Sequence, residues 1–431
     1  MPDLGELGLE ARKRRLKWLA AGMLPLVLLG AILWPHTRAG APKADPSIPT
    51  QAPTHLPTQP TDWQGAIDYW GLDSRLNAMM TDRSMEGLAV AVVENGRLSF
   101  VRGYGLTSAE NGQPVDAGTV FRWASLSKTV SGTLSARLAA DGVFSLTDPV
   151  EAFHTTLRLP GEAQRSLTVE QLLSQQTGLS KNAYDDRLED GQNPGVIRGA
   201  LGALSVVCAP GTCHSYQNIA YDTITEIIDG RTGEAYGDTV RRLLFTPLGM
   251  TTASVGVGGL VGAQRWARPH HAGRTLPVSA AYYQVPAAAG VNSTIVDLSL
   301  WMRAQMGLRP DVLPAPILDA AQRPRVGTAA PYGRLSIARE LKHAGYGLGM
   351  RSFTYKGHRL VGHSGGVSGY RSTMMFDPAT RTGIVMLWNS DANLPFRFQA
   401  EFFDRAYGEP FRDWLELKDA PGETLPTQSA D

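Results

Sequence analysis

The chain has 431 residues, of which 43% are hydrophobic and 19% are charged. These fractions are typical of a globular protein with a sizeable core, and one large enzyme domain could fill most of the length. The net charge of +1 gives no basis for electrostatic binding to nucleic acid or to an acidic partner. We therefore expect neither of these partners.

Residues 1–41 predict where the protein is located rather than how it folds. Trp18–Trp34 is an uncharged stretch, and four basic residues precede it: Lys13, Arg14, Arg15 and Lys17. As a helix it would span ~26 Å, close to the shortest length that crosses a bilayer. We expect an uncleaved anchor in the inner membrane, with the catalytic domain in the periplasm. The alternative is a signal peptide cut after Ala39–Ala41, although Pro42 is unfavourable directly after a cut.

Three further segments follow. Residues 42–62 are rich in Pro and Thr and poor in apolar surface, which is typical of an extended linker. Residues 63–413 are expected to fold as one domain, and residues 414–431 are expected to form a disordered tail.

Strands are predicted near both ends of this domain. Two apolar runs around Asn95-Gly96 predict a β-hairpin, and residues 359–361, 370–376 and 383–388 predict further strands. Helices are predicted at residues 68–80, 129–140, 169–173, 219–232 and 398–407. We expect an α/β (α+β) fold with one antiparallel sheet from about 63–120 and 340–413, flanking helices, and an inserted helical lobe within about 121–339. The active site is expected in the cleft between sheet and lobe.

Cys208 and Cys213 are the two cysteines of the chain, and a turn through Pro210-Gly211 could bring them together. Disulfides persist outside the cytoplasm, so a local disulfide is favoured over two free thiols. No metal site is predicted, because His214 has no further Cys or His at ligand spacing.

Ser125 and Lys128 suggest nucleophilic catalysis. Ser125 stands at the start of a predicted helix, and side chains three residues apart on a helix share a face. A serine hydroxyl is a weak nucleophile near neutral pH, but a neutral lysine can take its proton. The pair therefore suggests an acyl-transfer centre, although a lone Ser-x-x-Lys is more often a helix start with an exposed lysine.

Two later patterns carry further chemistry. In Tyr216-Gln-Asn218, the tyrosine can relay a proton and the asparagine can hold a substrate carbonyl, although a turn followed by a helix cap is the plainer interpretation. Gly362–Gly366 reads Gly-x-Ser-x-Gly, the pattern around the nucleophile of α/β-hydrolases. That fold requires a histidine after the serine, and none follows Ser364. We therefore reject Ser364 as the nucleophile.

In this order, the three motifs resemble the serine β-lactamase and penicillin-binding protein superfamily, nearest to its class C-like branch of β-lactamases, DD-carboxypeptidases and related esterases. The resemblance extends over about residues 67–410 and includes residues 172–179, 247–250 and 346–349. It implies a β-lactamase/transpeptidase-like fold and an acyl-enzyme mechanism that uses no metal or organic cofactor.

The resemblance also implies a role for each motif residue. Ser125 would attack the substrate carbonyl, and Lys128 and Tyr216 would share its proton, with the choice of base left open. The backbone N–H groups of Ser125 and Gly366 would form the oxyanion hole. The remaining motif residues would bind the substrate: Asn218, His363, Ser364 and Gly365.

His363 stands where class C β-lactamases usually have a lysine. We expect a protonated His363 to help hold a substrate carboxylate, so that KM for anionic substrates rises as pH passes the histidine pKa. The favoured function is a periplasm-facing serine hydrolase acting on a D-alanyl peptide of the cell wall or a β-lactam-like compound. A small-ester hydrolase of the same fold and a penicillin-binding sensor without turnover are alternatives, and the sequence predicts no oligomeric state.

Overall fold

In the computed structural model, which describes residues 55–417 except 330–331 and 334, the predicted hairpin forms around Asn95 and Gly96. Both residues have positive φ, 50° and 80°, as in the turns that match the right-handed twist of paired strands. The first strand of the hairpin has all of its residues buried. Both faces of the sheet must therefore be covered.

The strands, in chain order, are β1 Gly87–Glu94, β2 Arg97–Gly105, β3 Phe121–Arg122, β4 Ser254–Val255, β5 His270–His271, β6 Arg274–Thr275, β7 Val291–Ser293, β8 Val326–Gly327, β9 Lys342–Tyr346, β10 Arg351–Tyr355, β11 His358–Val367, β12 Tyr370–Asp377 and β13 Thr382–Trp388. Eight of them form one antiparallel sheet in the order β2-β1-β13-β12-β11-β10-β9-β8. Because β1 pairs with β13, the sheet is built from both ends of the folded region. This confirms the predicted fold class.

The helices, in chain order, are α1 Tyr69–Met79, α2 Lys128–Ala140, α3 Val169–Leu173, α4 Asp185–Glu189, α5 Pro194–Ala200, α6 Asn218–Tyr221, α7 Thr223–Thr232, α8 Tyr236–Val240, α9 Thr246–Leu248, α10 Val257–Val261, α11 Pro286–Ala289, α12 Ile295–Gln305, α13 Ala315–Gln322 and α14 Leu394–Tyr407. Shorter 3-10 turns cover Pro60–Asp62, Ala124–Ser127, Val150–Phe153, Pro160–Arg165, Leu201–Ala203, Ala281–Gln284 and Ser336–Arg339, and a π turn covers Arg241–Phe245. Helices α2–α13 fall between β2 and β8 in the chain, where the helical lobe was predicted.

Two apolar cores lie on opposite faces of the sheet. Successive side chains of a strand point to opposite faces, so Ala91 of β1 belongs to the core shared with the lobe, whereas Val92 belongs to the core shared with α1 and α14. The sheet therefore lies between two apolar cores, and the helical lobe packs on one of its faces.

The prediction of an N-terminal membrane anchor is not supported. A helical span needs about 20 predominantly apolar residues, and no helix in the described part of the chain is long and apolar enough. Trp18–Trp34, on which the prediction rested, lies outside the described residues. We therefore withdraw the anchor, the membrane as a partner, and the inner-membrane and periplasmic location derived from them.

The ordered packing extends further at both ends than predicted. Pro57, in the predicted linker, accepts a hydrogen bond at its carbonyl from the backbone N–H of Val101 at 3.2 Å. Trp414, in the predicted tail, is buried, and its indole N–H donates to Asp404 at 2.6 Å. These contacts could not be predicted from the sequence, because each depends on how the folded chain brings its partner close.

Candidate active site

Ser125 lies in the 3-10 turn directly before α2, half-buried at the wall of a cavity of about 580 Å³. The preceding residue, Ala124, has φ of 50°, a left-handed conformation that costs a non-glycine residue about 1–3 kcal/mol. Ser127 braces this turn, because its hydroxyl donates to the carbonyl of Ala124 at 2.6 Å and accepts from the backbone N–H of Val291 at 3.0 Å. The fold thus maintains a strained backbone beside the predicted nucleophile.

Lys128 is fully buried at the start of α2, and its side-chain nitrogen faces three oxygens. Nζ lies 3.4 Å from Oγ of Ser125, 2.7 Å from Oδ1 of Asn218 and 3.0 Å from the carbonyl oxygen of Ala288. A neutral amine has two N–H donors and one lone pair. If Asn218 and Ala288 accept the two N–H bonds, the lone pair of a neutral Lys128 is directed at the Ser125 hydroxyl. The arrangement suits a lysine that removes the proton of Ser125.

Tyr216 is close to this pair but makes a different kind of contact. Nζ of Lys128 lies 4.8 Å from the centre of the Tyr216 ring, within the range of a cation–π interaction. The Tyr216 hydroxyl makes no hydrogen bond within the described residues, whereas the backbone carbonyl of Tyr216 accepts from the N–H of Asn182 at 2.9 Å. The geometry therefore brings Tyr216 to the site without linking its hydroxyl to Ser125.

Asn218, at the start of α6, connects Lys128 to an acidic residue that the sequence did not indicate. Its Oδ1 accepts from Lys128, and its Nδ2 donates to Oδ2 of Asp185 at 2.7 Å. Burial raises the pKa of the Asp185 carboxyl above its ordinary value, although the hydrogen bond from Asn218 and the charge of Lys128 oppose that shift. The second N–H of the Asn218 amide makes no hydrogen bond within the described residues, and its role in binding a substrate carbonyl stays a prediction.

Strand β11 runs directly against the turn that carries Ser125. A Cβ atom placed on Gly365 would lie 2.0 Å from the carbonyl oxygen of Trp123 and 3.0 Å from the backbone nitrogen of Ser125. Only glycine allows this approach. Ser372 of β12 also holds the turn that carries Ser125, because its hydroxyl donates a hydrogen bond to the Trp123 carbonyl at 2.5 Å. Gly366, the next residue of β11, lines the cavity together with Ser125, and the oxyanion-hole role of the two residues stays a prediction.

Ser364 lies within β11 and not at a strand-to-helix turn, so it has no nucleophile-elbow geometry. Its hydroxyl is within hydrogen-bond distance of the hydroxyls of Tyr332 at 2.9 Å and Thr373 at 3.3 Å. It lines the cavity, and its role in binding a substrate stays a prediction.

The expectation of a protonated His363 is wrong. His363 is buried, with Nε2 3.0 Å from the hydroxyl of Tyr346 and Nδ1 2.7 Å from the backbone carbonyl of Ser364. Burial lowers its pKa well below the ordinary value, and the charges of Arg351 and Lys128 lower it further. The imidazole is therefore neutral around neutral pH and cannot act as a cationic carboxylate anchor.

Arg351 is the cation that the sequence analysis missed. It begins β10, pairs with Gly362 of β11 and lines the cavity. Its guanidinium carbon lies 5.2 Å from the centre of the Tyr346 ring and 6.0 Å from that of Tyr216. It forms no ion pair with a carboxylate in the described part of the chain, and its charge remains available. The resemblance at residues 346–349 ends two positions before Arg351 and is the signal that could have led to it.

The neighbouring loop is closed by a disulfide between Cys208 and Cys213, whose Cα atoms are 6.3 Å apart. The residue after it, His214, also lines the cavity, and burial together with the nearby charges of Arg351 and Lys181 lowers its pKa to about 4. Among the described residues, no group of three or more His, Cys, Asp or Glu side chains is placed to hold a metal ion.

The site thus combines a serine on a strained turn with a buried lysine beside it, within a fold of an antiparallel sheet and a helical lobe. The chain belongs to the Beta-lactamase family, whose profile matches residues 72–409. This confirms the resemblance inferred from the three motifs, and homologues of this fold are serine hydrolases.

Individual relatives differ in their described activity. The chain is 24% identical over 331 residues to the unguisins hydrolase ungD of Aspergillus violaceofuscus, covering 70% of this chain and 58% of that protein. It is 26% identical over 337 residues to the esterase EstB of Burkholderia gladioli, covering 67% of this chain and 81% of that protein. The octameric penicillin-binding protein homologue from Pyrococcus abyssi has a similar fold, with a TM-score of 0.70, 23% identity, and coverage of 80% of this chain and 78% of that one. This chain thus spans less than two thirds of the unguisins hydrolase.

Proposed function

We propose that the protein is a serine hydrolase that forms an acyl-enzyme on Ser125. Its substrate is an amide, a lactam or an ester that also carries a free carboxylate. The observation that carries this proposal is the position of Lys128. Its side-chain nitrogen is buried and forms hydrogen bonds to two acceptors, on Asn218 and Ala288. The remaining tetrahedral position of the nitrogen points toward Oγ of Ser125. An exposed lysine at a helix start would have none of these constraints.

In the proposed reaction, the neutral form of Lys128 removes the hydroxyl proton as Oγ of Ser125 attacks the substrate carbonyl carbon. The backbone N–H groups of Ser125 and Gly366 hold the resulting oxyanion, and losing one such donor typically costs ~3–4 kcal/mol. The tetrahedral intermediate collapses, the C–N or C–O bond breaks, and the leaving group receives the proton from Lys128. Water then hydrolyses the ester on Ser125, which regenerates the hydroxyl.

Lys128 is our choice of base, because Tyr216 has no hydrogen bond to the reacting serine. Tyr216 instead places its ring against the lysine nitrogen. From there its hydroxyl can relay a proton to the leaving group once a substrate fills the cavity.

The substrate class is inferred from charge. Arg351 is half-buried in the cavity wall with no acidic partner in the described residues, and both nearby imidazoles have lowered pKa values. A guanidinium in this position favours a carboxylate, since it can donate two parallel hydrogen bonds. D-alanyl peptides and β-lactam-like compounds both carry such a group, and we therefore favour them.

A second candidate is hydrolysis of small esters. The similarity to the esterase EstB favours it, and an ester could use the same serine and lysine without engaging Arg351. Substrate charge separates the two candidates, because only the first needs the guanidinium.

The test is intact-mass labelling of the purified protein with a penicillin and with an activated nitrophenyl ester. Ser125→Ala should abolish labelling and reduce turnover by several decades, because it removes the attacking atom. Ser364→Ala is the matched control, a serine on the same cavity wall, and it should still be labelled. Labelling that persists in Ser125→Ala and is lost in Ser364→Ala would refute the proposal. One equivalent of product followed by no turnover would identify a sensor.

A further inference from the structure

Asp185 is a buried carboxylate that belongs to none of the three motifs. It is the first residue of α4, its residue surface is 7% exposed, and it borders the cavity. Its Oδ2 accepts a hydrogen bond from Nδ2 of Asn218 at 2.7 Å, and it lies 3.3 Å from the hydroxyl of Tyr282, which is shared with Glu189. Asp185 therefore reaches the nucleophile only through Asn218 and Lys128.

The two ends of the Asn218 amide differ in chemistry. Its oxygen accepts hydrogen bonds, whereas its NH2 group only donates them. Lys128 offers donors on one side of the amide, and an ionised carboxylate on the other side only accepts. If the amide rotated by 180°, its NH2 group would face the N–H donors of Lys128. The lysine would then lose one of the two acceptors that direct its lone pair at Ser125.

We propose that Asp185 is a positioning residue, which fixes the Asn218 amide with its oxygen toward Lys128 and thereby aligns the lysine for proton removal from Ser125. This inference rests on the proposed function and adds a residue to it. Asp185 does not itself touch the reacting atoms.

The energetic cost of Asp185 supports a functional role. Its second oxygen, Oδ1, is buried without a hydrogen-bond partner in the described part of the chain. A buried acceptor left unsatisfied destabilises a fold, and burial also raises the pKa of this carboxyl. A residue that served only to fill this space would be more stable as an apolar side chain. Groups perturbed in this way concentrate at functional sites.

The experiment measures the acylation rate, as the burst phase with a nitrophenyl ester, in folded variants of the full chain. Asp185→Leu removes the acceptor and should slow acylation about tenfold while KM stays unchanged, because only the orientation of the base is affected. Asp185→Asn can still present an oxygen to Asn218 and should remain within about threefold of the wild type. Should Asp185→Leu fail to fold, Asp185→Ser takes its place, since its hydroxyl is too short to reach Asn218.

A double-mutant cycle distinguishes positioning from a merely structural role. In an Asn218→Ala background, Asp185→Leu should cause no further loss, because the residue it acts through is absent. Glu189→Gln is the matched control: it lies on the same helix and accepts from Tyr282 at 2.8 Å, but it does not contact Asn218. It should acylate at the wild-type rate.

Three results would overturn the inference: wild-type acylation in Asp185→Leu, equal loss with and without Asn218, or an Asp185→Asn variant as slow as Asp185→Leu. None of these bears on the proposed function, which fails separately if Ser125→Ala is still labelled and Ser364→Ala is not.

Discussion

Replacing Arg351 by Met tests the inferred preference for a carboxylate. The substitution removes the guanidinium and retains an unbranched side chain that can still pack against Tyr346. A charge-assisted hydrogen bond contributes about 1.5–3 kcal/mol. Because Arg351 is only half-buried and water screens part of its charge, we take the lower value, about 1.5 kcal/mol, which corresponds to about a tenfold rise in KM.

The assay compares two substrates that differ only in charge, a D-alanyl peptide with a free carboxylate and the same peptide as its C-terminal amide or methyl ester. The anionic substrate should show the rise in KM, and the neutral one should not. Lys181→Met is the matched control, because Lys181 is also a cation on the cavity wall but is exposed. An equal rise for both substrates, or a larger effect from Lys181→Met, would refute the assignment of Arg351 as the anchor.

Two further predictions concern neighbouring groups. Because the pKa of His363 lies well below its ordinary value, KM for the anionic substrate should stay flat when measured from about pH 5.5 to 8.5, and a rise near pH 6.5 would restore the protonated-histidine hypothesis. Cys208→Ser with Cys213→Ser opens a short loop, so the free energy of unfolding should fall by only about 2 kcal/mol. The loss of activity should be larger than the fall in stability accounts for, because the loop leads directly to Tyr216. A variant that loses stability but keeps full activity would contradict this.

The sequence was sufficient for features that depend on neighbouring residues. Ser125 and Lys128 are three residues apart, so helical geometry places their side chains on one face. Asn95-Gly96 is a dipeptide that favours a hairpin turn wherever it lies between apolar runs. The apolar runs at residues 370–376 and 383–388 also predicted β12 and β13, so the sheet built from both ends could be predicted. The order of the three motifs supplied the family.

Long-range contacts account for what could not be predicted. Arg351 enters the cavity only because β10 pairs with β11, and its own short strand gave no periodic signal. The neutral state of His363 depends on burial, which the residue type does not reveal. Asp185 belongs to a five-residue helix, too short to be recognised by its pattern, and its partner Asn218 lies far along the chain.

The pairing of β1 with β13 has a consequence for how the protein is made. Leu88 pairs with Trp388, 300 positions later in the chain. At about 5–20 residues per second, a ribosome needs about 15–60 s to complete that distance. During this interval the hairpin of β1 and β2 exists without its neighbour, although β1 is apolar on both faces and offers a free edge for pairing. Biosynthesis of this fold therefore includes an obligatory aggregation-prone period, and a nascent chain truncated before β13 should depend on a chaperone to stay in solution.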